Sequence, residues 1–206
     1  DIAGGSYPAV INILLALREV EKTGQGKFLD ISMTDNLFPF MWMALGLTAK
    51  NYYAEGGDLQ LTGASPRYGI YETLNKGYIA LGALEEKFWL RFCEVINLPQ
   101  EFIDDRINPN ATKVAIIKLI KEKETEYWKE TLSKEDNICC SIVSSLKEAM
   151  SNAQIIEREL LTAEIKLGTE KILAIPTLLA PTWKTKDVIK SAPKLGEANL
   201  LYMEET

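Results

Sequence analysis

The apolar residues of this chain change period along its length, and that change restricts the folds open to it. Between residues 6 and 22 they recur at three- and four-residue steps. Val10, Ile13, Leu14, Leu17 and Val20 form one side, Ile11 and Leu15 widen it, and an amphipathic helix is predicted. Gly4-Gly5 precedes this helix, Ser6 can cap it, Pro8 suits its first turn, and Gly24 and Gly26 end it. Residues 27–32 then alternate as a short strand. A second helix, started by Thr34 or Asp35 and running through Leu47, is apolar on most sides and is expected to be buried. From 50 to 65 the periodicity is lost among Gly56, Gly57, Asp58, Gly63 and Ser65, as in a linker. Beyond it the period becomes two. Residues 68–73 and 78–84 flank Asn75-Lys76-Gly77, which predicts a hairpin with Gly77 at positive φ.

The remainder mixes both patterns. Helices are expected over 85–96, on Phe88, Trp89, Phe92 and Val95, and over 113–132, where charges of alternating sign from 118 to 135 make a solvated face. A buried strand over 137–143, short helical pieces at 145–152 and 153–160, and a strand over 172–178 interrupted by Pro176 follow. The end of the chain, with Pro181 and Pro193, should be extended. Two units result, split near 50–65.

With 47% hydrophobic and 25% charged residues, 206 residues can bury a core. A net charge of −6 argues against nucleic acid and anionic membranes as partners, although backbone amides can still hold a phosphorylated ligand. The longest uncharged stretches, 2–17 and 36–49, are shorter than the roughly 18 apolar residues of a membrane span, and the first, with Pro8 and Asn12, is not expected to be a signal peptide. Cys93, Cys139 and Cys140 do not fit a disulfide framework or a zinc site and are expected to be reduced core thiols; no metal is expected. The chain has no histidine, which removes Ser–His–Asp and Cys–His catalysis. Chemistry here must rest on carboxylates, lysines, tyrosines or backbone dipoles.

Two places could carry such chemistry. Asp1-Ile2-Ala3-Gly4-Gly5-Ser6 leads into a helix, so amides near the positive end of the helix dipole could meet a phosphate or a developing oxyanion. Asp1 beside them could act as base or nucleophile; a plain loop leading into the helix accounts for the same residues. Glu85 sits where a strand gives way to a helix in Gly82-Ala83-Leu84-Glu85, a common place for functional groups, although taken alone it reads first as ordinary helix capping.

Four segments in order, Asp1–Ser6, Thr23–Met33, Leu61–Tyr68 and Gly82–Glu85, resemble the family III CoA-transferases (CaiB/BaiF type), and within them most nearly the α-methylacyl-CoA racemase branch. Residues 136–143 and 193–197 look like two later family segments. The resemblance implies an α/β fold: part of a large α/β domain, plus a smaller α+β domain, in an interlocked homodimer. It assigns 1–50 to the end of the large-domain segment, 51–64 to a linker, 65–170 to the small domain and 171–206 to a return segment. It implies an acyl-CoA thioester as substrate and no permanently bound cofactor; the cytoplasmic location expected here follows instead from the reduced cysteines. Asp1 would be an acid/base in a racemase or the nucleophile in a transferase, which forms a mixed anhydride. Gly4 and Gly5 would line the CoA or oxyanion site, and Glu85 would orient a catalytic histidine. That histidine belongs to an N-terminal CoA-binding half not among these residues, separately encoded or removed. The family's Asp-Phe-Gly-Gly-Gly is here Asp1-Ile2-Ala3-Gly4-Gly5, a family proline is Ile142 and a family histidine is Ala198. Three readings follow: 2-methylacyl-CoA epimerisation as part of a complete protein, CoA transfer between carboxylic acids, or a non-catalytic remnant that folds and dimerises.

Overall fold

The structure, a computed structural model, describes residues 1–183 and 191–199, and these fall into two compact units, Asp1–Ser141 and Ile142–Thr206. In the first, a wide helical turn over Ile2–Ser6 leads into α1 (Tyr7–Thr23), which Gly24 closes in the left-handed conformation (φ 68°) by donating its N–H to the Val20 carbonyl at 2.8 Å. The helix matches its prediction to within a residue. Residues 27–32 take no regular structure, which corrects the expected strand: none of the described strands lies beside them, and a lone strand has no ladder to hold it.

The second predicted helix forms as tight helical turns over Asp35–Met41, containing Pro39, and then as α2 (Trp42–Thr48). Its burial is corrected. Neither stretch has a buried residue, and Trp42 is 70% exposed, so Met41, Trp42 and Met43 are not core packing in this chain. The face of α1 is equally bare, with Val10, Leu14 and Leu17 exposed. The packing of these helices is chiefly with one another: the 2–6 turn against α1 and the 35–41 turns, and those turns against α2. Such short neighbours cannot cover two broad apolar faces.

The core lies between residues 65 and 141. β1 (Tyr68–Glu72) pairs antiparallel with β2 (Tyr78–Gly82), Ile70 opposite Ala80, and β3 (Cys140–Ile142) completes the sheet in the order β1-β2-β3. β3 is shorter than the predicted 137–143, and its residues are exposed or half-buried rather than buried. In the hairpin turn the positive φ falls on Lys76 (63°), not on Gly77. Gly77 is needed for a different reason. A Cβ there would collide with the Thr125 hydroxyl, which bonds Asn75 Oδ1 at 2.7 Å and lies 2.7 Å from the Thr73 hydroxyl.

Three helices accompany the sheet, α3 (Glu86–Val95), α4 (Pro109–Lys121) and α5 (Thr125–Leu132), and α4 packs on β1. Asn108 caps α4 by accepting from Ala111 N–H at 3.0 Å, Pro109 fills its first position, and Thr112, Ile116 and Ile120 recur every four residues on its buried side. With Ile79, Trp89, Phe92 and Trp128 they make the core. The single helix predicted over 113–132 is two. Residues 122–124 break it because other acceptors and donors are at hand: Leu74 N–H donates to the Lys123 carbonyl (2.9 Å), Thr125 N–H to Asn75 Oδ1 (2.9 Å), and the Trp128 indole to the Ile120 carbonyl (3.0 Å).

The second unit contains α6 (Leu146–Met150), capped by Ser145 with Glu148 in return, α7 (Ala153–Glu157), and a hairpin of β4 (Glu164–Leu167) and β5 (Glu170–Leu173) turning at Gly168 (φ 64°). The helical pieces fall where predicted. β4 was not foreseen, and β5 begins two residues before the expected 172 and ends before Pro176. None of the described residues 142–180 is buried. The extended reading of the chain's end falls partly on residues outside those described.

Candidate active site

Asp1, Gly4 and Gly5 share one turn. The Asp1 carbonyl accepts the N–H groups of Gly5 (2.8 Å) and Ser6 (2.9 Å), so those amides are already engaged. Amides of Ile2, Ala3 and Gly4 stand ahead of them at the positive end of the helix, where an anion would be stabilised. Gly4 is buried, and a Cβ on it would strike the Met33 carbonyl and approach Leu37 Cγ at 3.2 Å; on Gly5 it would meet Met33 Cγ at 3.1 Å. Asn36 Nδ2 donates to the Gly4 carbonyl at 3.0 Å. Close packing on the 33–37 segment therefore accounts for both glycines in this chain. The Asp1 side is exposed.

Glu85 stands at the other place. β2 ends at Gly82, and Glu85 is the N-cap of α3, extended at φ −75°, ψ 140°, with no side-chain cap hydrogen bond. Its carbonyl accepts the N–H groups of Phe88 (3.1 Å) and Trp89 (3.0 Å), so the backbone is held while the exposed carboxylate remains available. Strand-to-helix turns of this kind deliver a side chain to a rim from a rigid base.

Next to this turn is a group that the sequence pattern does not single out. Arg67, just ahead of β1, is buried together with Asp105, each side chain 10% exposed. Its Nε and Nη2 donate to Asp105 Oδ1 at 3.0 and 2.7 Å, and Nη1 donates to Glu86 Oε2 at 2.6 Å. Burial opposes the Arg67 charge, but the hydrogen bonds to Asp105 and Glu86 outweigh it, and its pKa lies above the ordinary guanidinium value. The guanidinium also lies over the Trp89 ring, 4.9 Å from its centre. A cleft of about 250 Å³ opens here, lined by Gln60, Ser65, Arg67, Leu84, Glu86, Asp105 and Arg106. Neither Asp1 nor Glu85 lines it. The two predicted carboxylates thus belong to separate packing groups, and no hydrogen bond or ion pair among the described residues joins them.

The cysteines divide. Burial pushes the Cys93 thiol up to about 12, and burial, with Cys139 adding, does the same for Cys140, so neither is a thiolate nucleophile at neutral pH. Cys139 is exposed, which corrects its expected place in the core. No described helix is long and apolar enough to cross a membrane.

The sequence profile of CoA-transferase family III matches residues 1–199. Among curated proteins, the mouse (Mus musculus) α-methylacyl-CoA racemase is 26% identical over 100% of this chain and 54% of its own length. The human enzyme of the same name is 25% identical over 77% of this chain and 42% of its own. A Caenorhabditis elegans CaiB/baiF CoA-transferase family protein is 26% identical over 79% of this chain and 47% of its own. The crystal structure of Rv3272 from M. tuberculosis superposes with a TM-score of 0.66 at 20% identity, over 93% of this chain and 52% of that one. The chain spans about half the length of the relatives it matches.

Proposed function

The chain belongs to CoA-transferase family III, and from that membership we propose that it is part of an enzyme that epimerises 2-methyl-branched acyl-CoA thioesters. The observation that carries this reading is Glu85, presented on a strand-to-helix turn with its exposed carboxylate making no cap hydrogen bond and, among the described residues, no ion pair. Removing and returning a proton α to a thioester requires an acid/base on each face of the carbon. In this proposal Asp1 serves one face. Glu85 orients a histidine, supplied from outside these residues, at the other. The amides at the start of the 2–6 turn lie where charge on the thioester oxygen could be stabilised. Residues 1–50 then belong to the large domain, 51–64 to the linker, 65–170 to the small domain and 171–206 to the return. The enzyme works in the cytoplasm on a CoA thioester and needs no resident cofactor.

The test is solvent deuterium exchange with a complete protein carrying this segment. Deuterium is expected at the α carbon, and Glu85→Gln is expected to slow its appearance by about 10²-fold or more. CoA transfer to a free carboxylic acid without α exchange would instead assign Asp1 the nucleophile's role and overturn the epimerase reading.

The same proposal includes a homodimer. It is supported by the bare apolar faces of α1 and α2 and by the absence of buried residues in 142–180. An obligate interface buries more than about 2,000 Å². Light scattering at micromolar concentration should give twice the 23.1 kDa of one chain, and a monodisperse monomer would contradict it.

A further inference from the structure

We infer that Arg67, through its fork onto Asp105 and Glu86, is the positioning residue of the Glu85 turn. The inference rests on the functional reading of Glu85 given above, and it adds a residue to which neither that reading nor the family match gives a role. Glu85 lies between two residues tied to Arg67. On one side, Ala83 N–H donates to the Arg67 carbonyl at 2.9 Å; on the other, the Arg67 side chain holds Glu86 Oε2 at 2.6 Å. The base of the fork does not drift, because Asp105 takes two of its N–H groups and Trp89 supports its face. Trp89 is anchored in turn by its indole N–H on the Ile103 carbonyl at 2.7 Å, close in sequence to Asp105.

Stability alone does not call for this arrangement. A buried ion pair costs desolvation, and apolar residues of similar volume often replace one without loss. What apolar residues cannot supply is direction: a planar guanidinium fixes two carboxylates at set angles, whereas a lysine offers a point charge. The fork therefore sets where the first turn of α3 begins, and with it the direction in which Glu85 leaves the backbone. Glu86 itself is exposed, so its bond to Arg67 is the only link among those above that a solvent-facing side chain makes to the buried pair.

The experiment is residue-resolved native-state hydrogen exchange on the 206-residue chain. Arg67→Met alone would leave Asp105 buried and uncompensated and could unfold the core, so the informative variant is the double change Arg67→Met with Asp105→Leu, alongside Arg67→Lys. In the double variant the thermal midpoint returns to near that of the parent, while the amides of Phe88 and Trp89 exchange at least tenfold faster and those of Ile79, Ile116 and Ile120 do not change; Ala83 N–H, bonded to the main-chain carbonyl of residue 67, keeps its protection. Arg67→Lys loses protection at Phe88 and Trp89 because it keeps a charge for Asp105 without the fork. If those amides recover in the double variant along with the midpoint, Arg67 is merely structural and the inference falls. The functional reading is tested separately, by Glu85→Gln in the deuterium assay. Local loosening with a silent Glu85→Gln upholds the positioning and sinks the epimerase reading; unchanged protection with an inactive Glu85→Gln does the reverse.

Discussion

Trp89→Ala is expected to cost about 3–5 kcal/mol, the usual range for removing a large aromatic side chain from a core. Trp89 is 0% exposed and stands in the first turns of α3, 6.0 Å from the ring of Phe92. Three losses coincide at this one side chain. The cavity forfeits dispersion contacts from every wall, and backbone relaxation recovers only part of them. The Ile103 carbonyl loses the indole N–H at 2.7 Å, and an acceptor deprived of its partner away from water is itself costly. The Arg67 guanidinium loses the ring beneath it, which leaves the buried ion pair less supported. Since a domain of this kind is stable by about 5–15 kcal/mol in all, the variant should sit near its unfolding threshold. Urea denaturation followed by circular dichroism measures it. Trp183→Ala is the internal control: this residue is 76% exposed, and its change should stay within about 0.5 kcal/mol. A loss below 1 kcal/mol for Trp89→Ala would mean that the core between 65 and 141 is not organised around this residue.

How far the sequence foretells this structure depends on how local each determinant is. α1 is legible because its stripe, its leading glycines and Gly24 all lie within the helix or beside it. α4 carries its cap and its proline in Asn108-Pro109, and α6 its Ser145–Glu148 box. The hairpin follows from alternation and turn residues. What fails is what depends on distant partners. The break at 122–124 exists because the hairpin turn brings Leu74 and Asn75 to Lys123 and Thr125, 50 positions away from Asn75 in the case of Thr125. Gly77 reads as a conformational glycine, yet Thr125 is what forbids a side chain there. Apolarity foretold that the 35–48 helix should be covered, but not what would cover it, and no residue of it is buried among the described residues.

The candidate site divides in the same way. Glu85 stands out because a period-two run turns into a period-3.6 run at that point. Arg67 does not, although it precedes β1 directly, because its partners lie 19 and 38 positions along the chain and only the fold brings them to it. One sequence cue is available: a charged side chain immediately before a strand, with Pro66 ahead of it and apolar alternation behind it, needs a partner if the strand's start is buried. The glycines at 4 and 5 show the opposite case. Their motif suggests a ligand-binding loop, and the structure adds a packing reason that would suffice without one.

The second large effect concerns the chain on its own, which is expected to leave the α-proton exchange of a 2-methylacyl-CoA at background and to bind CoA weakly. Its two candidate carboxylates lie in separate packing groups, each exposed, so no water-excluded chamber surrounds a reacting carbon. It has no histidine to serve the second face. The few amides at the 2–6 turn must also offset the entropy of immobilising a long, flexible ligand. Completing the chain with the remaining portion of a family member should supply the missing acid/base. The direct measurement is α-deuterium incorporation into a 2-methylacyl-CoA in heavy water, for the 206-residue chain and the completed protein side by side. Background incorporation is expected for the chain alone and incorporation at rates several orders of magnitude higher for the completed protein; turnover by the chain alone, or none in the completed protein, would overturn the epimerase reading.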